Sequence, residues 1–220
     1  MKILYLTPDY QIAPLIPNED NDLINALTLK GVYLSIVTTG RGDTQVSHGG
    51  YATVREVPLD KVFGTGLMSL LCRGSMLKRI KDIALLDVGV DMIVVRGYGY
   101  VDKVYKWLST HLKAPIVCDL LSSPIIRGDD STSLQERYAI LKSDQIWTYC
   151  DRVVVGSELE RDTLLRAGVA TAKVVVISPW RRVVPALALE GERIGAYQAK
   201  ENKSVDRYID MLTTLYINKD

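Results

Sequence analysis

Residues 142–178, KSDQIWTYCDRVVVGSELERDTLLRAGVATAKVVVIS, decide the fold. Asp151 to Gly156 is a β-branched run with no polar alternation, the pattern of a strand covered on both faces in a parallel sheet. Ser157 and Glu160 stand three apart, so each side chain can satisfy the other's free backbone amide in a capping box that opens a helix. Leu159, Leu164 and Leu165 supply that helix with an apolar face, and Gly168 is placed to end it in a left-handed turn. Lys173 to Ile177 is a second β-branched strand. Strand, helix and strand in this order imply a right-handed parallel crossover.

The same alternation runs through the rest of the chain. Lys2 to Thr7 reads as a strand, and Pro14 and Pro17 restrict the loop after it. Asn18 is placed to cap a helix whose first turn carries Glu19, Asp20 and Asp22. Leu23, Ala26 and Leu27 form its inward stripe, Gly31 stops it, and Tyr33 to Thr38 is the second strand. Residues 40–50, GRGDTQVSHGG, read as a polar glycine-rich connection before a short strand at Ala52 to Val57. Within that connection the Arg41-Gly42-Asp43 tripeptide follows from loop composition, and His48 has no partner at metal-ligand spacing. Leu67 to Leu86 is a basic amphipathic helix interrupted by Gly74, suited either to packing on a sheet or to lying on an anionic membrane. Asp91 to Val95 and Pro115 to Asp119 are buried strands flanking a helix marked by Val104, Trp107, Leu108 and His111. The expected fold is therefore α/β, a single doubly wound Rossmann-like domain with a parallel sheet.

Composition narrows the function. At 220 residues and 47% hydrophobic, the chain is long enough for one sizeable α/β domain and too short for two. A formal charge of +1, with acids and bases intermixed, leaves no electrostatic footprint for nucleic acid. Cys72, Cys118 and Cys150 lack C-x-x-C spacing and sit in apolar surroundings, as reduced buried thiols do. No export signal precedes the first strand, and no apolar run approaches the ~18 residues that span a bilayer. A cytoplasmic protein is expected, with at most peripheral contact at the inner membrane surface. The sequence has neither G-x-G-x-x-G nor G-x-x-x-x-G-K-[ST], so no cofactor is expected, and no metal site.

Cys150, Asp151, Val153 to Val155, Ser157, Gly168 and Val174 to Ile177 together resemble the end of the N-terminal lobe of family-four glycosyltransferases of the two-lobed GT-B type. The opening MKILYLTPDY and the rhythm of residues 23–40 resemble the start of the same lobe. The run SVDRYIDMLTTLY, with Val205, Tyr208, Ile209, Leu212, Leu215 and Tyr216 at helix spacing and Ser204 as its expected cap, resembles the final helix that packs back on that lobe. Residues 1–180 are thus expected to form the Rossmann-like lobe, and 181–220 a linker and returning helix. About 35 residues after Pro185 are too few for the donor-binding lobe.

The resemblance implies sugar transfer from a nucleotide sugar to a glycan or lipid-linked acceptor, in partnership with a separate donor-lobe chain or within a homo-oligomer. The alternative is a non-catalytic carbohydrate- or protein-binding domain of the same descent, or an engineered isolated lobe. Two departures from the family pattern weigh on activity. Leu15 and Ile16 occupy the place of a glycine pair that lets backbone approach phosphate, and Leu121 stands where the family carries a histidine. Ligands in open parallel sheets bind at the carboxyl ends of the strands. That rule selects Tyr10, Arg96, Tyr98, Asp119 and Ser122 as candidate substrate-binding residues on an open rim, with Ser123 beside them and no catalytic residue assigned.

Overall fold

The computed structural model describes residues 1–7, 19–39, 45–48, 51–57, 78, 81, 82, 89–96, 102–121, 146–178 and 191–218. Its strands are β1 (Lys2–Leu6), β2 (Tyr33–Thr39), β3 (Gln45–His48), β4 (Ala52–Val57), β5 (Met92–Arg96), β6 (Ile116–Asp119), β7 (Arg152–Val155) and β8 (Val174–Val176). They form one sheet in the order β3-β4-β2-β1-β5-β6-β7-β8. Every pairing among them is parallel except β3 with β4. The order runs one way from β1 through β2 to β4 and the other way from β5 to β8, so the topological switch point lies between β1 and β5.

Helices cover both faces, as the sequence leads one to expect. Alternation along the strands sends Leu4, Leu6, Ile93, Val95, Cys118, Val153 and Val155 to one face. There they meet Val104, Tyr105 and Leu108 of α2 (Asp102–His111) and Leu164 of α3 (Glu158–Arg166). Ile3, Tyr5, Ile36, Met92, Val94, Val117 and Val154 project to the other face, against Leu23, Ile24 and Leu27 of α1 (Glu19–Leu29) and Tyr208, Ile209 and Leu212 of α4 (Gly191–Ile217). The terminal helix is therefore part of the core. It is also tied at the surface to the residue following α1, by Lys30 Nζ and Asp206 Oδ1, 3.0 Å apart.

The turn chemistry follows the sequence closely. Ser157 accepts the Glu160 amide at 3.3 Å, and Glu160 Oε2 accepts the amides of Gly156 at 2.6 Å and Ser157 at 3.0 Å, completing the capping box. Gly168 has φ +94° and Gly31 φ +76°, left-handed conformations in which a Cβ is strained.

Four expectations need correction. Residues 45–48, read as loop, form the antiparallel edge strand β3, with Val46 opposite Val54 and His48 opposite Ala52. Leu159 is 64% exposed, since it falls on the solvent side of α3 while Leu164 faces the sheet. Ser204 lies inside α4, which begins at Gly191, so it does not stand at the helix N-terminus. Tyr216, counted in the apolar stripe, is 38% exposed, whereas its neighbour Leu215 packs against the core. Among residues 67–86, Lys78, Lys81 and Asp82 are helical and the others lie outside the described residues. Cys72, Leu15, Ile16, Asn18 and the Arg41-Gly42-Asp43 tripeptide also lie outside them. Among the described residues, no helix is long and apolar enough to cross a membrane.

Candidate functional site

Four polar residues at the carboxyl ends of adjacent strands are completely buried: Thr7 after β1, Thr38 in β2, Arg96 at the end of β5 and Asp119 at the end of β6. A buried polar group costs free energy unless its hydrogen bonds are made, so such a cluster is held by partners. Register sets Arg96 directly beside Asp119. Both share a sheet face with Tyr5, since Tyr5, Val94 and Arg96 alternate outward on the side covered by α1 and α4.

The side chains form one chain of contacts. Arg96 Nη1 donates to Tyr5 Oη at 3.3 Å and lies 3.6 Å from Asp119 Oδ2. Tyr208, reaching down from α4, donates its hydroxyl to the same Oδ2 at 2.8 Å. Asp119 Oδ1 accepts the Leu121 amide at 2.9 Å, which turns the backbone immediately after β6. Burial, then the negative charge of Asp119, pushes the Tyr208 phenol well above its ordinary range, so it acts as a hydrogen donor. The cluster thus neutralises one buried carboxylate with one guanidinium and two hydrogen-bond donors.

Two of the sequence-selected residues, Arg96 and Asp119, are brought together here. Their setting differs from the open rim expected for them: both are sealed from solvent beneath α4, so neither side chain presents itself to a ligand in this structure. Arg96 is accordingly a core residue, contrary to its assignment as a surface contact. Tyr10, Tyr98, Ser122 and Ser123 lie outside the described residues. Tyr5 and Tyr208 escaped the sequence reading as site residues because each sits at an apolar-stripe position, where a phenol looks like packing. Leu121 is 4% exposed and packed in the core, so the position matched to the family histidine holds an aliphatic side chain facing inward.

A second cluster lies on the opposite face. Tyr105 donates to Cys118 Sγ at 3.2 Å, and Cys150 Sγ donates to the Ile146 carbonyl at 3.3 Å. Both thiols are free and buried, as expected. Burial, followed by the neighbouring Cys118, raises the Cys150 thiol well above its ordinary value, which leaves it a poor nucleophile. An open cavity of about 500 Å³ lies at the amino ends of β6 and β7, lined by Lys113, Tyr149, Asp151 and Leu215 among others. Asp151 is engaged there in structure, accepting the Ile116 amide at 2.8 Å. Among the described residues, no group of His, Cys, Asp and Glu is arranged to hold a metal ion.

No family model and no curated protein matches this sequence. Solved structures do. Sucrose-phosphate synthase from Thermosynechococcus elongatus superposes with a TM-score of 0.56 at 14% identity, over 80% of this chain and 47% of that one. A shorter chain of the same synthase matches with a TM-score of 0.55 at 14% identity, over 96% of this chain and 99% of that one. UDP-GlcNAc 2-epimerase from Methanocaldococcus jannaschii matches with a TM-score of 0.51 at 17% identity, over 82% of this chain and 46% of that one. The chain spans about half the length of the longer proteins. At these identities the likeness is one of fold, and the fold is GT-B-like: an α/β Rossmann-type sheet with a terminal helix packed across it.

Proposed function

We propose that this chain is the acceptor-side lobe of a family-four-type glycosyltransferase, binding a glycan or lipid-linked saccharide and transferring sugar only when a separate donor-binding chain completes the cleft. The observation that carries the reading is the buried polar cluster at the carboxyl ends of β1, β2, β5 and β6, astride the switch point where such sheets bind ligands. Its members brace the strand ends from below. The saccharide-contacting groups then belong to the segments that leave those ends, including Tyr10, Tyr98 and Ser122. On this reading residues 1–180 are the lobe, and the following segment carries the helix that seals it.

A second reading, a non-catalytic binding domain of the same descent, is favoured by the burial of Arg96 and Asp119 and by the inward-facing Leu121. Titration of the full chain by NMR with a panel of saccharides and a panel of nucleotide sugars separates the two. The acceptor-lobe reading expects saccharides to shift the Thr7, Thr38 and Leu121 amides, and nucleotide sugars to bind more weakly than about 100 μM, roughly −5.5 kcal/mol. Nucleotide-sugar binding tighter than that overturns the lobe assignment. Silence from both panels selects the protein-binding alternative.

A further inference from the structure

The two oxygens of Asp119 serve different masters. Oδ1 accepts the Leu121 amide at 2.9 Å and so sets the direction in which the chain leaves β6. Oδ2 accepts the Tyr208 hydroxyl at 2.8 Å, while Arg96 Nη1 stands 3.6 Å off the same oxygen. The carboxylate therefore lies between a close donor on α4 and a more distant cation on β5. With the phenol hydroxyl removed, Oδ2 loses its 2.8 Å donor, and rotation of the carboxylate then draws Oδ1 away from the Leu121 amide. Tyr208 is separated from Asp119 by 89 positions in sequence, so this single contact ties the seating of the terminal helix to the backbone at the edge of the sheet.

We propose that Tyr208 is a positioning residue for the saccharide-binding edge: through Asp119 it fixes the course of the chain leaving β6, so that the edge is set when α4 is seated and lost when α4 lifts. The proposal deepens the acceptor-lobe reading and rests on it for the identity of the ligand, while the contact itself is independent of any ligand. Ile116 offers an internal reference, because its amide donates to Asp151 Oδ2 at the opposite end of the same strand.

The test is amide hydrogen exchange on the full chain, comparing Tyr208→Phe with Leu212→Ala. The first variant keeps the ring and removes only the hydroxyl; the second loosens α4 and leaves the hydroxyl in place. In Tyr208→Phe the Leu121 amide is expected to exchange about tenfold faster relative to Ile116. In Leu212→Ala, where α4 lifts with its hydroxyl intact, the Leu121 amide should also gain on Ile116, but by less than in Tyr208→Phe. Equal acceleration of Leu121 and Ile116 in Tyr208→Phe, or no change at Leu121, overturns the proposal by reducing Tyr208 to packing. Because exchange is read without ligand, a saccharide panel that fails to bind sinks the functional reading and leaves this link standing, whereas equal exchange sinks the link alone.

Discussion

Arg96 and Asp119 illustrate how a strand-end residue changes meaning once its surroundings are known. As a pair they are fully desolvated, and removing one partner leaves a charge in the interior. Arg96→Ala is therefore expected to cost about 3–5 kcal/mol in urea unfolding, a large part of the stability of a domain this size. Arg96→Lys should recover only part of it, since an ammonium is more strongly hydrated than a guanidinium and costs more to bury. A loss below about 1 kcal/mol for Arg96→Ala would show that the pair is not buried in solution.

The two raised acids give a second test at this scale. In both Cys150 and Tyr208 the folded-state value lies above the unfolded one, so the folded protein holds a proton that the unfolded chain releases. The stability they contribute is complete below about pH 8.5 for the thiol and about pH 10 for the phenol, and declines as pH rises beyond those values. Cys150→Ala should flatten the first part of the alkaline decline, and Tyr208→Phe the part above about pH 10. Urea titrations from neutral to strongly alkaline pH measure both slopes, and slopes unchanged by either substitution would contradict the burial of these groups.

At the scale of elements, α3 is specified by its ends. The Ser157 hydroxyl satisfies one amide and the Glu160 carboxylate satisfies two, so the substitutions should differ in cost. Ser157→Ala is expected to lose about 1 kcal/mol and Glu160→Ala about 2 kcal/mol, because the latter strands two partly buried amides. Gly168→Ala should cost about 1 kcal/mol through its left-handed backbone alone, with no neighbour within 4 Å of the new methyl. Thermal melting of the three variants ranks them, and a ranking with Ser157→Ala the most damaging would mean that the glutamate is not part of the box. The α2 surface follows a different logic: Trp107 stacks on His111 with ring centroids 4.5 Å apart, and Lys81 Nζ stands 5.4 Å from the Trp107 ring.

For the whole molecule, the decisive element is α4. It closes one face of the sheet with Tyr208, Ile209 and Leu212, each contributing about 1.5–3 kcal/mol of burial before entropy is counted. A chain ending at Lys203 removes all three together with the donor to Asp119. It should melt well below the full chain and bind a hydrophobic dye, and an unchanged melting temperature would show that the helix is not seated on the sheet. Its loss differs from Leu212→Ala in kind, because truncation also leaves the Asp119 carboxylate one donor short in the interior.

Local signals determined the layered fold. Continuous β-branched runs, the Ser157–Glu160 box and the positive-φ glycines at 31 and 168 act within a few residues of themselves, and each is met in the structure where the sequence puts it. Helix periodicity in residues 205–215 likewise marked the terminal stripe, although it could not show that the helix starts at Gly191. The strand-end rule picked out Arg96 and Asp119 as special, because parallel strands must end on the same side of the sheet. Whether those ends are open or sealed depends on which helix crosses above them, a contact made by residues 89 apart, and only the tertiary structure decides that. Tyr5 and Tyr208 are apolar-stripe residues by position and polar partners by geometry, because a phenol carries both characters on one ring and only the arrangement of its neighbours shows which one the fold uses.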